Sequence, residues 1–340
     1  MDQPQPPSPQ VVHVVARPGG IQAAIGLILG LVALGVAFFV GVGVGAVTML
    51  AGTKVESPIV QELYRDGGRS KVAIIPVEGA IDGYRADVVR LLVDEVLESR
   101  SIKAVVLRVD SPGGSIAPSD RIWYEIKRLQ DKGLPVVASY GGLAASGGYY
   151  ISCGTDHIVA EPTCITGSIG VIAQTFVFTG LMDKIGIEPV TIMATDSPEK
   201  DLGNPFRNWT EKDHQQYMEL LDAAYVIFNT RVREGRGKVI TDPARVDQLA
   251  DGSIYTAPEA LDSGLIDAIG YLDDAVAAAE SQAGLRAGSA TVVVLREPVG
   301  FLGSLLGVRG TDPLAGLRDA DSIRSMVNEL SLPRVMYLMR

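Results

Sequence analysis

The chain has 340 residues, 47% of them hydrophobic, and a formal net charge of −10, enough for one large domain or two small ones with a real core. The acidic balance and the lack of any basic stretch argue against nucleic acid as the main partner, because nothing is present to neutralise phosphates. Two cysteines, Cys153 and Cys164, and three histidines, His13, His157 and His214, make neither a disulfide framework nor a multi-histidine metal centre, and no cofactor is expected.

Residues 1–20 are rich in proline and glutamine, the composition of a disordered segment. Residues 21–52 carry no charge at all. That exceeds the roughly 20 apolar residues a bilayer requires, and the segment lacks a clear small-residue cleavage site. A retained transmembrane helix is therefore expected rather than a cleaved signal. Gly26, Gly30, Gly41 and Gly45 give small-xxx-small spacings that suit a close helix contact, or simply the tolerance of membrane helices for glycine. Arg17 precedes the segment, whereas Lys54, Arg65, Arg69 and Lys71 follow it. A literal positive-inside reading places the following domain in the cytoplasm, but the rule weakens when a long domain follows.

Residues 53–70 read as a polar linker, 71–300 as the main domain and 301–340 as a C-terminal extension. Residues 71–77 and 102–109 are β-branched apolar runs, as strands buried on both faces should be. Between them Val88, Leu91, Leu92, Val96 and Leu97 recur at helical spacing. A helix over 116–132, a strand from Leu134 to Ala138 and a helix after Ser146 follow. Residues 157–160, 171–176 and 189–193 are further predicted strands. Thr210 and Asp213 form a capping-box pattern at the start of the longest helix, 210–233. Shorter helices near 242–250, 257–263 and 272–279 and a strand over 290–295 complete the domain. The alternation predicts an α/β domain with a largely parallel sheet. Beyond residue 303 the pattern is weak, although residues 335–339 are apolar enough to dock somewhere.

The stretch 138–150, A-S-Y-G-G-L-A-A-S-G-G-Y-Y, puts Ser146 at a strand-to-helix turn among small residues. A nucleophile needs such surroundings: substrate can approach, and free N–H groups at a helix start can hold an oxyanion. A glycine-rich packing turn with Ser146 as a cap fits the same residues. After the second strand, residues 110–115 read D-S-P-G-G-S, suited to an oxyanion hole or anion nest and equally to an ordinary turn. Residues 166–172 read T-G-S-I-G-V-I, where Ser168 is a hydrogen-bonding hydroxyl or a turn residue. Neither His157 nor His214 has a setting that marks it as a general base. A lysine can serve only when neutral, which demands a pKa far below the usual 10.4. Lys127, Lys132 and Lys212 read as solvated helix positions; Lys200, in a loop hinged by Gly203 and Pro205, is the plausible candidate.

Six segments in order, V-E-G-A-I (77–81), D-S-P-G-G, A-A-S-G-G-Y-Y, T-G-S-I-G-V-I, K-D-L-G-N-P-F-R (200–207) and Y-T-A-P-E-A-L-D-S-G-L-I-D-A-I-G (255–270), resemble the signal peptide peptidase A family of membrane-bound serine proteases. The resemblance covers roughly residues 71–280. It implies a Clp protease/crotonase-like fold, a repeated ββα-type superhelix, preceded by one transmembrane helix. It further implies a Ser–Lys dyad with Ser146 as nucleophile and Lys200 as general base, Ser168 orienting the lysine, and Gly114 and Gly147 forming the oxyanion hole. A homo-oligomeric ring with the dyad formed between neighbours is implied too, as are apolar peptide substrates such as signal-peptide remnants. The catalytic domain would lie on the extracytoplasmic face, against the charge count. Gly141, Gly142 and Leu143 depart from a more polar filler, and Asn204 stands where Ser is commoner. The competing readings are a crotonase-like acyl-CoA enzyme that uses the oxyanion hole without a nucleophile, and a non-catalytic membrane scaffold of the same fold.

Overall fold

Apolar runs with no polar face set the layout. In a computed structural model, which describes residues 59–297 and 334–338, the chain runs β1 (Val60–Arg65), β2 (Gly68–Glu78), α1 (Gly83–Glu98), β3 (Ile102–Ser111), β4 (Gly113–Ser115), α2 (Ile116–Asp131), β5 (Val136–Ala145), α3 (Gly147–Tyr150), β6 (His157–Ala160), β7 (Ile165–Gly167), β8 (Ile172–Gln174), α4 (Thr179–Ile185), α5 (Glu211–Arg236), α6 (Pro243–Leu249), β9 (Ile254–Thr256), α7 (Ala257–Asp262), β10 (Ala268–Ile269), α8 (Leu272–Gln282), β11 (Ala290–Arg296) and β12 (Arg334–Leu338).

The main sheet has the order β1-β11-β2-β3-β5-β6-β10, with β7 beside the end of β5 and β9 on β7. Its interior pairs are parallel; β1 with β11 and β7 with β9 are antiparallel. Consecutive residues of a strand face opposite sides of a sheet, so an unbroken apolar run fills two cores. Ala73, Ile75, Val105, Leu107 and Ala138 join Val89, Leu92 and Val93 of α1 and Ile122, Ile126 and Leu129 of α2 on one side. Val72, Ile74, Ala104, Val106 and Val137 meet Ala275, Val276 and Ala279 of α8 on the other. This is a mixed α/β fold with a mostly parallel sheet, as expected.

Three local expectations change. Residues 60–65, read as part of a polar segment, form β1, an edge strand on β11 whose exposed charges include Glu62, paired with Arg296 at 2.7 Å. Polar composition is how an edge strand resists further pairing, so it hides the strand from a reading by hydropathy. The strand expected over 189–193 does not form. Val190 and Ile192 are 80% and 90% exposed, and β-branched residues with no partner strand have nothing to hold them extended. The strand expected over 171–176 shortens to β8. The segment 21–52, expected to span a membrane, lies outside the described residues; among those described, no helix is long and apolar enough to cross one.

One buried carboxylate ties the sheet edge together. The Glu280 side chain is fully buried and accepts from Gly288 N (2.7 Å), Ala290 N (2.9 Å) and Arg65 Nη2 (2.6 Å). Burial opposes its ionisation, but these donors outweigh that and hold the carboxyl below its ordinary range. A depressed carboxylate stabilises the fold above its unfolded pKa of about 4.3 and loses that contribution as pH falls through the folded value. Glu280→Gln is therefore expected to cost roughly 1.5–3 kcal/mol at pH 7 in urea denaturation, and the gap from wild type should close below about pH 4.

Candidate active site

Ser146 closes β5 and opens α3 with φ 53° and ψ −115°, a region non-glycine residues rarely enter. Such a conformation stores about 1–3 kcal/mol and persists only where the surroundings over-determine it. They do so here from both sides. The Ser146 N–H donates to Gly167 O (2.8 Å), and its carbonyl accepts from Tyr150 N (2.8 Å). The residue is 1% exposed, yet among the described residues its Oγ has no hydrogen-bond partner, and it makes no cap to α3. Other buried serines nearby are satisfied: Ser111 donates to Gly79 O, Ser119 to Ser115 O and Ser152 to Gly148 O. An unpaired buried hydroxyl costs about 1–3 kcal/mol, so the capping reading of Ser146 does not hold.

Gly114 and Gly147 meet beside this turn. Gly114 forms a parallel bridge with Ile81, and a Cβ on it would lie 2.1 Å from Ile81 O, so only glycine fits. A Cβ on Gly147 would sit 3.1 Å from Gly114 N and 2.8 Å from Ser119 Oγ. The loop before Gly114 is held by Ser111, whose Oγ accepts from Gly113 N at 3.1 Å while donating to Gly79 O at 2.6 Å. The N–H of Gly147 belongs to the first turn of α3, where helices leave donors unpaired. Small residues, a bare hydroxyl and a helix start thus share one site.

Across the turn, Ser168 also takes a positive φ, 50°, and its N–H donates to Ser253 O (2.7 Å). It follows Gly167, the residue that receives the Ser146 N–H. The structure brings Ser146, Gly114, Gly147 and Ser168 into one neighbourhood. It does not bring Lys200 there: Lys200 is exposed on a turn, its N–H donating to Ser197 O, and its side chain bonds neither Ser146 nor Ser168.

That turn is nevertheless anchored. Arg207 donates from Nε to Asp201 (2.7 Å), next to Lys200, and from Nη1 and Nη2 to Asp213 (2.6 and 2.7 Å) at the start of α5. The guanidinium hydrogen bonds hold both carboxyls below their usual range. Asp213 in turn accepts from Thr210 N, completing the predicted capping box. Sequence reasoning missed this role for Arg207, and missed Ser111 and Ser119 as supports of the glycine loop. Both signals were present, since Arg207 ends K-D-L-G-N-P-F-R and Ser111 lies inside D-S-P-G-G.

The histidines serve elsewhere. His157 Nδ1 is 3.8 Å from Asp267 Oδ2, and His214 packs on Trp209. Cys153 and Cys164 are free thiols, both pushed up to about 12 by burial. Among the described residues no cluster of His, Cys, Asp and Glu could hold a metal ion. A cavity of about 670 Å³, lined by Trp123, Gln130, Arg231, Arg236 and Lys238, includes none of the predicted site residues.

Comparison with known proteins decides the family. The profile of Peptidase family S49 matches residues 128–286. A Synechocystis sp. protein, slr0021, which carries a protease name, is 34% identical over 245 residues, spanning 72% of this chain and 86% of that protein. The chain belongs to peptidase family S49. An Enterococcus faecium protein bearing the name signal peptide peptidase SppA is 34% identical over 249 residues, 72% of this chain and 70% of its own length. The chloroplastic serine protease SPPA of Arabidopsis thaliana is 32% identical over 278 residues, 78% of this chain and 40% of that longer protein. This S49 member is a serine peptidase of the signal peptide peptidase A family.

Loss of the Arg207 fork should loosen the Lys200 turn without unfolding the domain. Charge-assisted hydrogen bonds are worth roughly 1.5–3 kcal/mol, so local opening should rise about tenfold or more. Arg207→Gln is expected to speed limited tryptic cleavage at Lys200 by that factor while the melting temperature moves only slightly.

Proposed function

We propose that this S49 peptidase is a membrane-anchored serine endopeptidase in which Ser146 attacks the peptide carbonyl and Lys200 of a neighbouring copy is the general base. The observation that carries the reading is the buried, unpartnered Ser146 Oγ in a strained turn against Gly114 and Gly147. Neutral Lys200 Nζ takes the hydroxyl proton as Oγ bonds to the carbonyl carbon. The oxyanion forms against the N–H groups of Gly114 and Gly147, worth about 3 kcal/mol per donor. Collapse expels the amine, which leaves with the proton from Lys200; water then enters by the reverse steps and frees Ser146. Ser168 orients the lysine.

Assembly is supported by the surface around Lys200. Phe176, Leu181, Ile187, Val190 and Ile192 are more than half exposed, the first between β8 and α4, the second within α4 and the others in the irregular segment that leads to the lysine. Apolar side chains in that number mark an interface, and closing it against a second copy would dry the lysine amine and favour its neutral form. A homo-oligomeric ring of Clp protease/crotonase-like domains, spanning residues 71–300, fits this surface. Residues 21–52 supply the anchor, the catalytic domain faces the extracytoplasmic side, and the substrates are apolar peptides such as signal-peptide remnants.

Ser146→Ala and Lys200→Ala should each lower kcat by about 10³-fold or more on an apolar peptide without loss of thermal stability. Co-assembly of the two inactive variants should restore activity at about a quarter of the junctions, where an intact serine meets an intact lysine. Undiminished activity in Lys200→Ala would refute the base, and no recovery on mixing would place the dyad within one chain.

A further inference from the structure

Among the described residues only two that are not glycine take a positive φ, Ser146 and Ser168. Both are tied to Gly167. The Ser146 N–H donates to its carbonyl at 2.8 Å, and Ser168 follows it in the chain. Strained residues keep their geometry only where the surroundings over-determine it, so whatever fixes Gly167 fixes both serines.

Gly167 ends β7, which pairs with β9 in the antiparallel register Ile165–Thr256, Thr166–Tyr255 and Gly167–Ile254. β7 and β9 are three residues each, and among the described strands β9 pairs with β7 alone. A ladder this short is marginal by itself. Packing supplies the rest. A Cβ on Gly167, which has φ 82°, would lie 2.5 Å from Tyr255 Cδ2 and 2.9 Å from Ser253 O. The edge of the tyrosine ring therefore rests on the glycine backbone, a close approach that only glycine permits. The Ser253 carbonyl in turn accepts from Ser168 N at 2.7 Å.

Tyr255 is itself held from behind. It is half-buried, and its hydroxyl donates to Leu249 O, the last residue of α6, at 3.2 Å. The end of α6 is clamped to α5: Tyr225 Oη donates to Ala250 O (2.9 Å), and Asn229 Nδ2 donates to Asp247 Oδ1 (3.0 Å). The ring is thus a wedge between a fixed helix end and the turn that shapes the site.

We propose that Tyr255 is a positioning residue: its ring braces Gly167, and through Gly167 it holds Ser146 and Ser168 in their strained conformations. The brace rests on these contacts alone; its effect on turnover rests on the peptidase reading. Displacing a reacting group by about 1 Å costs on the order of 10²-fold in rate. A support that sets the geometry of the serines, without binding peptide itself, should act on kcat and leave KM near its starting value.

The test compares full-length wild type with Tyr255→Ala, Tyr255→Leu and Tyr255→Phe. Hydrogen exchange without substrate should show the Ser146 and Ser168 amides opening at least about tenfold faster in Tyr255→Ala. The Val105 amide, which donates to Pro135 O in the main sheet, should keep its wild-type rate. On an apolar fluorogenic peptide, Tyr255→Ala should lower kcat about 10²-fold with KM within about twofold. Tyr255→Phe keeps the ring and should return kcat to within about threefold of wild type. A merely structural residue would lower the melting temperature and leave kcat of the folded fraction where it was. Should Tyr255→Ala fail to fold, Tyr255→Leu carries the same readouts, since it keeps an apolar contact and loses the ring edge. Wild-type exchange at Ser146 and Ser168 in the folded variants would overturn the brace. Faster exchange with a wild-type kcat would overturn its bearing on catalysis, and a Phe variant as slow as the Ala variant would overturn the role of the ring. If wild type cleaves no peptide, the peptidase reading fails, and the exchange measurement still decides the brace.

Discussion

The site depends on a backbone that L-residues avoid. Ser146 is held at positive φ because its neighbours leave no alternative: Ala145 stands opposite Gly167 in the β5–β7 ladder, and Ala144 opposite Ser111 in the β5–β3 ladder. Each flanking strand then continues into a loop of the site, Gly113 and Gly114 on one side and Ser168 on the other. The strain of the turn, a few kcal/mol at most, is small against a sheet whose central strands are buried on both faces. Parallel pairing thus does more than fill the core. It brings three C-terminal strand ends to one edge, where open α/β sheets place their chemistry.

The two halves of the proposed dyad sit in unlike environments. The serine half is packed: Tyr149 and Tyr150 are fully buried behind it, their hydroxyls donating to Leu265 O and Asp120 Oδ1. The lysine half lies in an exposed, irregular segment tied down chiefly by the Arg207 fork and by Phe178 N donating to Pro205 O. Rigid nucleophile and assembled base is a sensible division for a peptidase. Among the described residues nothing accepts from the Ser146 Oγ, so on the proposed reading reactivity would appear only once copies associate.

Much of this was legible in the sequence because the signals were local. Unbroken runs such as K-V-A-I-I-P-V predicted strands with two buried faces, and the structure has them in β2. The Thr210–Asp213 spacing predicted a cap that forms, and glycine-rich turns marked the strand ends that build the site. What escaped was set by partners distant in the chain. β1 is held by β11 more than two hundred residues later, and its polar residues give no hydropathy signal. Residues 189–193 have strand propensity but no strand to pair with. The roles of Arg207 and Ser111 depend on what lies opposite them in space. Whether Ser146 was a cap or an unpartnered hydroxyl could not be read from A-A-S-G-G at all, since both uses need the same small neighbours.

The most direct measurement of the central claim is covalent modification of the assembled protein with a fluorophosphonate, followed by peptide mass spectrometry. A hydroxyl activated as described should yield one adduct per chain, on Ser146, with labelling lost in Lys200→Ala although Ser146 is intact. An adduct on another residue, or efficient peptide cleavage by protein that never labels at Ser146, would contradict the account.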